Sequence, residues 1–484
     1  MEHAGSPIAR ILNEDVGRYH RWCTPSILPG QERVVDAYAS DVSISAGFFG
    51  TLAGHTGVFG EAERYAARAA GADRTMFSVH GTTGSNWVLL RMLAMEQQDP
   101  MVLIARNIHH SIINAIKAFD LDFRFLPAPY DPRFEALHPP GPQEIAAALD
   151  RHPETIAVVY TSPTYEGLTA RSDAIVAAVR ERSERCMVIV DEAWGGHLHF
   201  HPELPDSAMA QGADISVQST HKMAGGLQQT GVIHWRTQRV DSELLEEAYR
   251  EYVTTSPSYA LLASADAAVR ALSTDGEWLL GETIERTRRF KKALRAALPE
   301  LDHLDDPDFE DHEHVAGTDL VKTTIGLARY QLTGYEVAEQ LVQHGVVVEK
   351  AGVRTLTFIT TFQLTEEAVA VTVDALAAIL GDQLVPDGGH RPLPPNPFAG
   401  LDARPTIRPF DAKRLAKSIG HEVPLADAVG KVAAEEVEVY PPGIPLILEG
   451  FRVSGDAVDY LLAARAAGGS IVGRDTTLQT LRVL

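Results

Sequence analysis

Between about residue 60 and residue 240, short apolar runs recur, separated by Ala-rich stretches long enough for helices. The runs are Met76–Val79, Met101–Ala105, Ile156–Tyr160, Met187–Val190 and Ile215–Gln218. Each reads as a near-continuous apolar stretch. Strands of that kind are buried on both faces, and strands joined by helices such as Asp173–Arg185 run parallel. The pattern predicts an α/β fold built on a mainly parallel sheet with helices on both sides. Such sheets place their chemistry in loops beyond the strand C-termini, and the unusual polar residues of this chain gather there.

The 484 residues exceed what one core commonly organises. An N-terminal arm (1–60) leads into a large domain (61–275). A second, smaller α/β unit (276–384) is read from a long helix through Arg286–Ala297, strands VVVE and TLTFITT, and helix TEEAVAVTVDALAAIL. The Pro- and Gly-rich stretch at 385–405 reads as a linker, and 406–484 form a C-terminal module. A net charge of −22 argues against nucleic acid, whose phosphates need a basic surface. With only Cys23 and Cys186, a disulfide framework is not expected, and a reducing cytoplasm fits. No apolar run reaches the roughly 18 residues of a membrane span, and the start MEHAGSPIARILNEDVGRYH lacks the order of a signal peptide.

The strongest constellation is VIVDEAWGGHLHF followed by ADISVQSTHKMAGG. Asp191 ends one strand, and Lys222 follows the next by a short loop. Pyridoxal 5′-phosphate needs this pair: a lysine to hold its aldehyde as a Schiff base, and a carboxylate to keep its pyridine nitrogen protonated. In MFSVHGTTGSNW a strand runs through Gly81-Thr82-Thr83-Gly84-Ser85 into a helix. Small residues let backbone N–H groups approach a phosphate, and Thr82, Thr83 and Ser85 add hydroxyls; a plain helix cap is the simpler reading of that turn alone. In RNIHHSI, His109 sits at a strand end where an imidazole can stack on a cofactor ring and donate a proton, or can cap the next helix. Ser162, Thr164 and Tyr165 of TSPTYEG, with Trp194, are candidate substrate contacts.

These segments resemble the fold-type-I (aminotransferase-like) pyridoxal-phosphate enzymes that include bacterial ornithine, lysine and arginine decarboxylases. The stretches that carry the resemblance are VHGTTGSN, RNIHHSI, TSPTYEG, DEAWGGHLHFHPELPDSAM, GADISVQSTHK, TTSPSYALLAS and PLADAVGKVAAEEVEVYPPGIPLI. The likeness is to the shorter biosynthetic members, with no receiver-like domain at the N-terminus. It implies α-decarboxylation of a basic amino acid through Lys222. It also implies that Asp191 pairs with the pyridine nitrogen while His109 and Ala193 cover the two ring faces. By the same resemblance the Thr82-Thr83 turn, Ser219 and His221 hold the phosphate. Thr255 or Ser256 would reach it from a partner subunit, so a homodimer or larger homo-oligomer is expected. His109 or Lys222 would return a proton to Cα.

Some positions depart from the family pattern. Pro-Gly-His-Lys becomes Pro29-Gly30-Gln31-Glu32, and no carboxylate lies between Ser43 and Gly60. His110 replaces a lysine, and Glu449-Gly450-Phe451 replaces Pro-Gly-Glu. These changes keep two competing readings open: altered chemistry on the same fold (oxidation, elimination or cyclisation), or an inactive homologue that regulates a decarboxylase. His197, His199 and His201 alternate, so on a strand they would share one face as metal ligands can. No second ligand cluster accompanies them and no metal is assigned. LDDPDFEDHEH reads as a solvated loop.

Overall fold

The computed structural model describes residues 18–30, 41, 49–127, 129–305, 312–441 and 443–484. Gln31, Glu32, residues 42–48 and residues 306–311 of the acidic loop lie outside them.

Seven strands form the main sheet: β1 (Arg74–Ser78), β2 (Met101–Ile104), β3 (Asp122–Phe125), β4 (Thr155–Thr161), β5 (Met187–Asp191), β6 (Ile215–Gln218) and β7 (Gly231–Trp235). Their order is β1-β7-β6-β5-β4-β2-β3. All neighbouring pairs are parallel except those of β7, which runs antiparallel to both β1 and β6. The five expected strands are present, and β3 and β7 extend the sheet. β4 and β5 are buried along their whole length, which is why their sequences do not alternate. Each fully buried Val or Ile contributes about 1.5–3 kcal/mol of burial.

Helices α1 (Gly57–Ala70), α2 (Gly81–Glu96), α3 (His110–Phe119), α4 (Pro142–Arg151), α5 (Ser172–Arg182) and α6 (Ser242–Tyr252) accompany the sheet. α2 packs on α3 and α6, and α4 packs on α5. Helix α7 (Tyr259–Ala297) runs for 39 residues and passes through residue 275 without a break. Its first half contributes Leu262 and Ala265 to the main core, and its second half contributes Phe290 and Leu294 to another.

That second core lies under an antiparallel sheet of Asp302–His303, Lys322–Gly326, Thr355–Ile359 and Lys350–Ala351. Helices α8 (Gly334–Gln343) and α9 (Glu366–Leu380) cover it. Val346–Val348 pairs instead with His20–Trp22 of the N-terminal arm. Trp22 is fully buried there against Phe290 and Phe358, and its indole N–H donates to Thr372 Oγ1 at 2.8 Å. The C-terminal unit has its own core around Leu461, Leu481 and Val483. The Pro/Gly-rich segment is pinned at both ends rather than loose. Arg391 N–H donates to Ala328 O, Phe125 N–H donates to Ala403 O, and Pro397 and Phe398 wall the cavity described below.

The segment with His197, His199 and His201 corrects the sequence reading. Leu198–Phe200 forms a 3-10 turn, so the three histidines do not share a strand face. His197 is fully buried with Nε2 3.0 Å from Asp319 Oδ1.

Candidate active site

The C-terminal ends of β4, β5 and β6 and the loop after β2 open onto one cavity of about 390 Å³, closed by the small and C-terminal units. At one end, the chain leaves β1 and turns into α2 at Gly81, whose φ of +62° suits glycine. No side chain caps α2. Gly81 N–H is taken by Gln229 O at 2.7 Å, and the residues that follow it, Thr82 and Thr83, line the cavity with their N–H groups and hydroxyls at the start of the helix. Thr82 Oγ1 lies 2.9 Å from Ser219 Oγ, joining this turn to the loop after β6. Gly231 permits the approach: a Cβ there would come within 2.9 Å of Gln218 O and 3.5 Å of Thr82 N. His221 Nδ1 donates to Thr230 O at 2.7 Å, which leaves Nε2 without that proton. This end can cradle a phosphate.

Beyond it, Asp191 closes β5 almost completely buried. Burial pushes its carboxyl up, opposed by Asn86, by Lys222 and by the Ala193 N–H. Asn86 Nδ2 donates to Oδ2 at 2.9 Å, and Ala193 N–H donates to Oδ1 at 3.2 Å. Lys222 sits in a helical turn, Thr220–Met223, just past β6. Burial lowers its ammonium to about 8; Asp191 opposes that shift and Lys322 adds to it. Its Nζ lies 3.8 Å from the Trp194 ring centroid, and the buried Lys322 Nζ lies 4.4 Å from it. His109 caps α3 and also lines the cavity, so capping the helix does not take it out of the site. Burial first, then His110 and Lys222, lower its pKa to about 3.

The remaining wall sets polar and charged groups beside the apolar Leu137, Phe398, Val439, Ile444 and Leu446. Lys350 pairs with Glu166, both nearly buried. Glu135 accepts from the backbone N–H groups of Val353 and Arg354 and from the Tyr460 hydroxyl. Glu349 accepts from Tyr165 OH at 2.7 Å and from Thr24 N–H at 2.8 Å. Among the described residues Glu349 makes no ion pair. Asn107 Oδ1 and Thr161 Oγ1 line the cavity as buried polar atoms without a hydrogen-bond partner.

Residues 35–316 match the family "Orn/Lys/Arg decarboxylase, major domain", and residues 398–483 match its C-terminal domain. The chain belongs to the Orn/Lys/Arg decarboxylase family. It is 32% identical over 436 residues to the arginine decarboxylase of Halalkalibacterium halodurans, covering 88% of this chain and 85% of that one. The arginine decarboxylase of Bacillus subtilis is 31% identical, with 88% and 86% covered. In structure, the chain is similar to the constitutive lysine decarboxylase of E. coli, with a TM-score of 0.75 over 96% of this chain and 79% of that one, at 24% identity. That likeness shows the fold. No helix among the described residues is long and apolar enough to cross a membrane.

The cavity brings together Thr82, Thr83, His109, Thr164, Tyr165, Asp191, Ala193, Trp194, Ser219, His221 and Lys222. Other candidates lie elsewhere. Ser85 Oγ is turned back onto Gly81 O at 3.2 Å, and Ser162 Oγ accepts from Ala170 N–H at 2.9 Å. Neither hydroxyl lines the cavity, because each satisfies local backbone. Thr255 and Ser256 are exposed and outside it. Sequence reasoning missed Glu349, Glu135, Glu166 and Asn86. Asn86 and Glu166 stand inside quoted motifs, Glu166 next to Tyr165, and Glu349 ends the quoted run VVVE; Glu135 carries no local pattern.

Proposed function

We propose that this chain decarboxylates a basic amino acid at Cα, using pyridoxal 5′-phosphate carried on Lys222. The observation that carries this reading is the placement of Lys222 and Asp191 at neighbouring strand ends in one cavity, with a donor-rich turn at one side and the unpaired Glu349 on its wall. The residues present fit the cofactor. The uncapped α2 turn, Thr82, Thr83 and Ser219 offer donors to a phosphate, Asp191 offers a buried carboxylate to a pyridinium, and Asn107 Oδ1 and Thr161 Oγ1 await partners. When bound, the cofactor supplies the electron sink that takes up the pair left as CO₂ departs.

The chain supplies the rest. Asp191, held by Asn86 and the Ala193 N–H, stabilises positive charge at the ring nitrogen. His109, on the cavity wall, would pack over the ring of a bound cofactor. Lys222, with an ammonium lowered to about 8, keeps a usable fraction of neutral amine near neutral pH and can also return a proton. Glu349 receives the distal ammonium or guanidinium by a charge-assisted hydrogen bond. Phe398 and the apolar Val439, Ile444 and Leu446 of the C-terminal unit wall the cavity and limit the water that reaches it.

The test is CO₂ release from arginine, lysine and ornithine, with products identified by mass spectrometry. Arginine heads the panel because the relatives above are arginine decarboxylases. The expected result is one amine shortened by its carboxylate. Products that retain the carboxylate would turn the reading to altered chemistry. Absence of both turnover and a yellow band near about 420 nm would turn it to an inactive homologue. We further propose that the enzyme is a cytoplasmic homodimer or larger homo-oligomer. Its two cysteines are free, and the exposed Thr255-Ser256 stretch offers hydroxyls to a neighbour.

A further inference from the structure

We infer that Ser111 and Asn86 are positioning residues that lock His109 as the neutral imidazole with its proton on Nε2. The inference rests on the function proposed above but is drawn from a chain of hydrogen bonds. Asn86 Nδ2 donates to Asp191 Oδ2 at 2.9 Å and to Ser111 Oγ at 3.1 Å. The carboxylate accepts only, so it fixes the amide with its nitrogen toward both partners. Ser111 Oγ, accepting from Asn86, has its single proton left for His109 Nδ1 at 2.8 Å. The Ser111 backbone N–H points to the same Nδ1 at 3.2 Å. Nδ1 thus accepts two hydrogen bonds, and the ring proton belongs on Nε2.

The lock decides which group returns a proton to Cα. Protonating His109 at Nδ1 would break both bonds from Ser111, in a buried place already faced by the His110 ring at 4.1 Å and by Lys222. Giving up the Nε2 proton would leave an imidazolate, so neutral His109 is a far weaker acid than an ammonium. The proton therefore comes from Lys222 Nζ. Cα gains it in place of the departed carboxylate, and the amine regains the lone pair that makes it a nucleophile. His109 packs and orients.

The experiment is nitrogen-15 NMR of the histidine-labelled, cofactor-free chain, with the His109 signals assigned by their loss in His109→Gln. Wild type should show an unprotonated, hydrogen-bonded Nδ1 and a protonated Nε2, unchanged between about pH 5.5 and about 8. Ser111→Ala, which leaves only the backbone N–H on Nδ1, should populate the Nδ1-protonated tautomer beside the wild-type one, while Ser111→Thr, which keeps the hydroxyl, should preserve the wild-type pattern. With substrate, Ser111→Ala should lower kcat about 5- to 10-fold, the size of one lost buried hydrogen bond. A wild-type His109 protonated at Nδ1, or a Ser111→Ala spectrum identical to wild type, would overturn the inference. The spectra need no substrate, so a failed CO₂ panel leaves this test intact.

Discussion

Asn86 Nδ2 lies 2.9 Å from Asp191 Oδ2, so a carboxamide from the second turn of α2 holds the carboxylate that ends β5. The other oxygen is held by the Ala193 N–H at 3.2 Å. Burial alone would drive this acid towards its neutral form; these two donors and Lys222 oppose that. The carboxylate is thus oriented before any cofactor arrives, and a pyridinium nitrogen would meet a fixed charge.

Asp191→Asn should therefore separate binding from chemistry. The amide keeps the shape and some hydrogen bonding, so part of the cofactor should remain bound. A neutral pyridine is a poor electron sink, so kcat should fall by about 100-fold or more. The measurement is cofactor stoichiometry by absorbance beside turnover. Wild-type kcat in Asp191→Asn would remove the electrostatic role assigned to this residue.

Glu349→Gln addresses substrate recognition. The carboxylate is held by Tyr165 OH and Thr24 N–H, donors that aim it from the cavity wall. Losing a charge-assisted hydrogen bond to a distal cation costs about 1.5–3 kcal/mol, or roughly 10- to 100-fold in KM. kcat should change much less, because the distal group does not react. Tyr165→Phe, which frees one oxygen of Glu349, should show a smaller effect in the same direction. An unchanged KM for the preferred basic substrate would move recognition to another acid of the wall.

Lys222 should cost the cofactor-free chain stability. Its pKa falls from 10.5 in the reference state to about 8 in the fold. Between those values the unfolded chain binds more protons than the folded one, so this group makes stability rise with pH across that window. Below about pH 8 the full cost is present. Lys222→Met should then stabilise the cofactor-free chain at neutral pH, by on the order of 1–3 kcal/mol, and the gain should shrink towards pH 10. Denaturant melts at several pH values would show it. A Lys222→Met chain less stable than wild type at pH 7 would contradict the assigned cost.

How much of this was legible in the sequence follows from how local each signal is. β2, β4, β5 and β6 read directly because continuous apolar runs mark strands buried on both faces. β3 hides Arg124 in its pattern, and β7 hides His234, which is buried but bonded to Thr75 Oγ1 at 2.7 Å. Nor does composition reveal that β7 runs against its neighbours. Asp191, Lys222, His109 and the Gly81 turn were readable because each follows its strand within a few residues. Glu349 meets Tyr165 across 184 positions and Thr24 across 325, and no short window contains that meeting. The alternating histidines misled for a related reason: period-2 spacing means a shared face only on a strand, and Leu198–Phe200 is a 3-10 turn.

The segment around Thr255 and Ser256 carries the last prediction. It is tethered beside the phosphate-side helix, since Thr254 N–H donates to Nε2 of His80, the residue that precedes α2, at 3.3 Å. Yet Thr255 and Ser256 are exposed, and helix α7 begins only at Tyr259, so these hydroxyls do not cap it. Two exposed hydroxyls at this place suit donation to a neighbouring subunit's phosphate site. Thr255→Ala or Ser256→Ala should then weaken cofactor retention about 10-fold, the size of one charge-assisted hydrogen bond. At limiting cofactor, mixing either variant with a Lys222→Ala chain should raise activity, because one site of each hybrid dimer combines an intact Lys222 with an intact neighbouring hydroxyl. If the segment served only its own chain, mixing would add nothing to the activity of the Thr255→Ala or Ser256→Ala chain and cofactor affinity would not move. Sedimentation provides the independent check: a fully active, cofactor-saturated monomer would refute the shared site.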